Sequence, residues 1–157
     1  MKKKIMPLFV LGILMVSVSF AMAATCPEGT EPVYMETVIV SSDGTTSSSV
    51  NALEAGKTYL LEVSGTADAG DTIEFDAKYS ITHRISGDSW TDTVSGYESD
   101  GTDLLELKVN GNFVDWGAFN DEHLYSLIIT GDGNPVEMQI YDIYYPNNQG
   151  SLTVNIS

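Results

Sequence analysis

Residues 136–156 read VEMQIYDIYYPNNQGSLTVNI, two alternating runs separated by a dense group of hard oxygen donors. Val136, Met138 and Ile140 share one side of the first run, and Leu152, Val154 and Ile156 share one side of the second. Side chains alternate along a strand with period two, so both runs read as half-buried β-strands. Asp142 keeps the inward parity of the first run at the point where that strand ends. A carboxylate there is costly to bury alone and must meet a cation, hydrogen-bond donors or water. Further on stand Asn147 and Asn148, whose amide oxygens, with carboxylates and backbone carbonyls, are the donor types that calcium selects. The competing reading is a plain turn, where Asn and Gly recur for backbone reasons. The loop is a candidate calcium site built between the last two strands.

The rest of the chain supplies strands of the same kind. Residues 33–40 and 57–64 alternate, the second with Tyr59, Leu61 and Val63 on one face, and residues 72–81 place Ile73, Phe75, Ala77 and Tyr79 opposite polar neighbours. Asp76 falls on the polar side of that run and reads as solvated. Leu105, Leu107 and Val109 mark another strand, and Asn110-Gly111 is the dipeptide of a type I′ hairpin turn, whose two central residues need positive φ. Residues 113–116 then read as the return strand and residues 124–130 as the next. About eight short strands with regular turn signals and no helical period predict an all-β fold, an antiparallel β-sandwich of jelly-roll type. The Ser/Thr-rich stretch 41–49 reads as a flexible connection or long hairpin loop, and residues 83–102 as a long irregular loop of the kind that often carries function.

At the N-terminus, Lys2, Lys3 and Lys4 precede an apolar run to about Phe20 and then Ala21-Met22-Ala23. This is the pattern of a cleavable signal peptide over residues 1–23, too short and wrongly flanked for a stable membrane span. The reading implies a secreted, periplasmic or cell-surface protein with a lead-in at 24–49 and a β-sandwich domain at 50–157. Its removal leaves Lys57, Lys78, Arg84 and Lys108 against 22 acidic residues, a net charge of −18. Nucleic acid and anionic membranes both require a positive surface and are excluded as partners. Most of the carboxylates read as a solvated coat. Cys26 is the one cysteine of the chain, so no intramolecular disulfide forms and packing must hold the fold.

Signals of catalysis are weak. The sequence lacks a G-x-S-x-G elbow, a P-loop and an H-E-x-x-H pair, and His83 and His123 have no zinc spacing around them. No catalytic residue is assigned, and the chain is read as a non-enzyme. Tyr144, Tyr145, Trp90 and Trp116 offer aromatic faces to a sugar ring; Trp116, on a predicted strand, reads as core, and Trp90, in a polar loop, as exposed.

With these residues in view, the chain resembles the small calcium-dependent galactose-binding bacterial lectins of the LecA type. The tail NNQGSLTVNI at 147–156 is similar to that family's ending, EVSGTADAG at 62–70 to its first metal loop, and LELKVNG at 105–111 to its mid-chain strand and turn. The resemblance implies calcium as cofactor, with Asp142, Asn147 and Asn148 as side-chain ligands, the carbonyl of Ala69 as one main-chain ligand and that of Tyr145, or of Tyr144 before it, as another. Where Ala69 stands the family has tyrosine, and the loop from Asp142 to Asn147 is shorter than the family's. The resemblance further implies a galactose-like glycan or polysaccharide as partner, two of its neighbouring hydroxyls lying on the ion. The sugar-binding candidates are Asp142, Asn147, Trp90, Tyr144 and His83, and a homo-oligomer is compatible with this reading. The alternative is a structural or adhesive surface module in which calcium only rigidifies a turn.

Overall fold

A computed structural model describes residues 33–70, 72–82, 89–92 and 105–157. The predicted signal peptide, Cys26, His83 and most of the loop at 83–102 lie outside the described residues. The fold is all-β and antiparallel, as the alternation predicts. Its strands are β1 (Glu36–Ser41), β2 (Ser47–Ser48), β3 (Thr58–Ser64), β4 (Ala67–Asp68), β5 (Ile73–Phe75), β6 (Tyr79–Thr82), β7 (Thr91–Asp92), β8 (Glu106–Val109), β9 (Leu124–Thr130), β10 (Glu137–Tyr141) and β11 (Gln149–Ile156).

Among the described residues these strands form two sheets. The larger has eight strands in the order β7-β6-β5-β4-β11-β3-β9, with β1 also paired to β11; the smaller runs β2-β10-β8. β11 is the hub, since its first residues pair with β4 and the rest with β1 and β3. Val40, Val63, Leu152, Val154 and Ile156 from the larger sheet join Leu107, Val109, Met138 and Ile140 from the smaller in one buried cluster, the core of a β-sandwich. Each such side chain contributes about 1.5–3 kcal/mol by leaving water. The segment before residue 50 is built into this body, because β1 runs in register with β11 from Glu36–Ile156 to Ser41–Ser151 and β2 pairs with β10. The Ser/Thr-rich stretch is accordingly a short turn leading into a strand, not a flexible connection throughout.

Two stretches depart from the sequence expectation. The run 72–81 is not one strand: it turns at Asp76, Ala77 and Lys78, between β5 and β6. The cause is Asp76, whose Oδ1 accepts the backbone N–H groups of Lys78 (2.9 Å) and Tyr79 (2.7 Å), a local bond that competes with the ladder. Nor is Asp76 solvated. It is fully buried, and its Oδ2 accepts the hydroxyl of Tyr125 (2.6 Å) and contacts Nδ1 of His123 (2.9 Å). Burial, and then this bond to Asp76, pushes the Tyr125 phenol up. His123 is half-buried at the start of β9, as expected, with φ +51°.

The second correction concerns residues 113–116, which form no strand. The type I′ turn itself is present, with φ +48° at Asn110 and +74° at Gly111 and a bridge between Val109 and Asn112. Beyond that bridge the edge of β8 is occupied. The Leu107 N–H donates to the Ala77 carbonyl (2.9 Å), and the Leu107 carbonyl accepts the indole N–H of Trp116 (2.9 Å). A return strand would need those same groups, so the chain turns inward instead and buries Trp116 in the core.

Glu106 on β8 is 2 % exposed, and its Oε2 has no hydrogen-bond partner. Burial pushes its carboxyl up to about 7, from an ordinary 4.5. The folded state therefore holds this proton more tightly than the unfolded chain, and the stability it contributes is complete below pH 4.5 and is lost as pH rises toward 7. Glu106→Gln, which keeps the shape without the charge, should flatten the fall in melting temperature between these pH values, removing on the order of 1–3 kcal/mol of pH dependence. Parallel slopes for the two proteins across that window would refute this assignment.

Candidate metal and ligand site

The connection from β10 to β11 carries the chain from the smaller sheet to the larger. It contains Asp142, the exposed Ile143 and Tyr144, and a 3-10 turn at Tyr145–Asn147. Pro146 suits this turn, since its ring presets φ. Asn148 closes it, donating its N–H to the Tyr145 carbonyl at 3.0 Å. Tyr145 also folds back on the loop: its hydroxyl accepts the Asp142 N–H (3.2 Å), and its ring lies directly over Gly44.

Of the side chains predicted as calcium ligands, Asp142 and Asn148 meet here, and Asn147 reaches the carbonyl of Ala69. Asp142 is buried, with Oδ1 accepting the Tyr144 N–H (3.1 Å) and Oδ2 accepting Nδ2 of Asn148 (2.7 Å). Asn148 Nδ2 donates also to the carbonyl of Ser42 (2.8 Å), and Asn147 Nδ2 donates to the carbonyl of Ala69 (2.8 Å). The other ends of both amides are orphaned, since Oδ1 of Asn147 and Oδ1 of Asn148 are buried without a partner. A buried acceptor left unmade costs about 1–3 kcal/mol. Two of them fall on consecutive residues, and one of these, Asn148, binds the buried carboxylate through its nitrogen, so the loop is short of donors for its oxygens.

The donor set fits a hard cation. It comprises one carboxylate, two amide oxygens and the main-chain carbonyls of Ala69 and Ser42, all oxygen, as calcium requires. Among the described residues no three His, Cys, Asp or Glu side chains gather as a metal-binding group, so the set lacks the nitrogen and sulfur donors of a zinc centre. The carbonyl of Tyr145, the fifth expected ligand, accepts the Asn148 N–H inside the 3-10 turn and keeps its second lone pair.

The sugar-binding candidates are divided. Tyr144 is 60 % exposed on the same loop as Asp142 and Asn147. Trp90 is half-buried and sits elsewhere, its ring 4.4 Å from that of His123 and 5.7 Å from that of Phe119. His83 lies outside the described residues.

Three participants are assigned no role at the site by the sequence. Ser42 is buried and is brought to Asn148 from over a hundred residues away. Gly44 and Gly70 have φ +83° and +71° and leave room for Tyr145 and Asn147; a β-carbon on Gly70 would stand 2.5 Å from Nδ2 of Asn147. Glycine punctuation was visible at both positions, but which side chain each accommodates depends on the folded loop.

No protein-family model matches the chain, nor does any curated protein or solved structure.

Gly70→Ala should both strain the backbone and push Asn147 out of place. The expected loss is about 1–3 kcal/mol in chemical denaturation, larger than for Gly65→Ala, where φ is also positive but open space surrounds the added methyl. Equal costs at the two positions would show that Asn147 does not need this contact.

Proposed function

We propose that this is an exported protein that binds calcium in the loop at 142–148 and carbohydrate through that ion. The observation that carries the reading is that Oδ1 of Asn147 and Oδ1 of Asn148 are both buried without a partner, in a loop where Asn148 also binds the buried Asp142 carboxylate through Nδ2. A calcium ion takes six to eight oxygens, so protein donors need not fill its shell, and neighbouring sugar hydroxyls are able to replace its waters. Tyr144, exposed beside the ligands, offers its face to the apolar side of a sugar ring. The likeness to LecA-type lectins in the tail at 147–156 supports the same reading. With a single carboxylate, the affinity for calcium belongs in the extracellular range, about 10⁻⁴–10⁻³ M.

One observation favours a second reading. Oδ1 of both asparagines is sealed from solvent, which suits an ion that only fastens the β10–β11 connection. The two readings share the metal and part at the sugar.

Thermal melts with calcium and with chelator, followed by a glycan array in calcium, separate them. Calcium at about 100-fold over Kd should add about 2.7 kcal/mol of stability and raise the melting temperature by several degrees. Asp142→Asn should abolish the rise. Calcium-dependent array signal supports the lectin; a melting shift without any array signal leaves the structural ion. Identical melts in calcium and chelator overturn both.

A further inference from the structure

His123 stands where the chain enters β9, with its backbone in the left-handed region at φ +51°. A residue other than glycine is uncommon there and is held by its surroundings. Its N–H donates to the Asn120 carbonyl (2.9 Å) and its carbonyl accepts the Gly65 N–H (3.2 Å), so both backbone groups are tied. The ring is tied as well. Nδ1 lies 2.9 Å from Oδ2 of the buried Asp76, the oxygen that also accepts the Tyr125 hydroxyl. As a carboxylate Asp76 only accepts, so the one proton of the neutral imidazole belongs on Nδ1, and Nε2 carries a bare lone pair. A carboxylate behind a histidine in this way fixes the tautomer and the direction in which the second nitrogen is presented.

That second nitrogen is unused. Nε2 has no partner among the described residues, and the His123 side chain is 21 % exposed. Aromatic surface surrounds it: the ring centres of Trp90 and Phe119 lie 4.4 and 5.7 Å away, and both rings are half-buried, so each keeps a part open to solvent. The indole N–H of Trp90 likewise meets no acceptor among the described residues. An oriented acceptor and a free donor thus stand side by side on an apolar ledge. Among the described residues no three His, Cys, Asp or Glu side chains gather, so Nε2 is not one corner of a chelating metal group. The net charge of −15 disfavours an anion. A neutral ring with hydroxyls on its edge and C–H groups on its face matches all three features.

We infer that His123 and Trp90 form a calcium-independent contact site for a neutral sugar, in which one hydroxyl donates to Nε2, the indole N–H donates to a neighbouring oxygen, and the apolar face rests on aromatic surface. Asp76 is the positioning residue. Ala69 precedes β5 and Asp76 follows it, so this site and the loop at 142–148 lie toward opposite ends of that strand, and neither rests on the other.

The test is made in chelator, where the calcium loop is silent. Long-range proton–nitrogen NMR spectra of the labelled protein should show His123 protonated on Nδ1 and bare on Nε2; a proton on Nε2 overturns the site. Galactose, glucose, mannose and N-acetylglucosamine are then titrated, and saturable binding of one of them should move the Nε2 and Trp90 indole resonances together. His123→Asn removes Nε2 but keeps an amide donor for Asp76, and asparagine enters the left-handed region readily. It should weaken that sugar about tenfold while the melting temperature holds. Unchanged affinity in this variant, or no binding of any of the four sugars, overturns the inference and leaves the calcium reading standing. If His123→Asn does not fold, Trp90→Ala decides on the same terms.

Discussion

The connection between β10 and β11 has to leave one sheet and enter the other within residues 142–148, and the contact from Asn148 Nδ2 to Asp142 Oδ2 (2.7 Å) ties its two ends. Much of the fold hangs from this passage, because β11 pairs with β1, β3 and β4 and supplies Leu152, Val154 and Ile156 to the core. A bond between a buried carboxylate and an amide is strong, yet among the described residues Asp142 meets the Tyr144 N–H and the Asn148 amide, neither of them cationic. The loop thus combines a structural necessity with an electrostatic one. The divalent ion we propose would answer both, binding the carboxylate and using the amide oxygens that are otherwise orphaned.

A second polar centre has a different character. Asp76 is also buried, but each of its oxygens is satisfied, by two backbone N–H groups on one side and by Tyr125 and His123 on the other. It joins the β5–β6 turn to the start of β9 and leaves nothing over for a ligand. The contrast between the two aspartates separates a fold anchor from a candidate site: one has a closed hydrogen-bond account, while the other sits beside two acceptors without donors.

The alternating runs made the strands legible because burial on one face imposes period two, and β3, β8, β9, β10 and β11 fall where that pattern places them. Asn110-Gly111 was legible for a similarly local reason, its positive φ values. What could not be read was competition for backbone groups by distant residues. The Leu107 edge is taken by Ala77 and Trp116, which cancels the expected strand at 113–116, and Asp76 breaks the run at 72–81 by bonding its own backbone. At the site, Asp142, Asn147 and Asn148 announced themselves through parity and donor chemistry. Ser42 did not, since only the pairing of β1 with β11 brings it there, and Trp90 lies against His123 and Phe119 instead of the loop.

The most direct measurement is an anomalous difference map from crystals of the protein grown in calcium. The account predicts one strong peak about 2.3–2.6 Å from the carboxylate of Asp142 and the amide oxygens of Asn147 and Asn148. A map without a peak there, with water or protein donors on both amide oxygens, would contradict it.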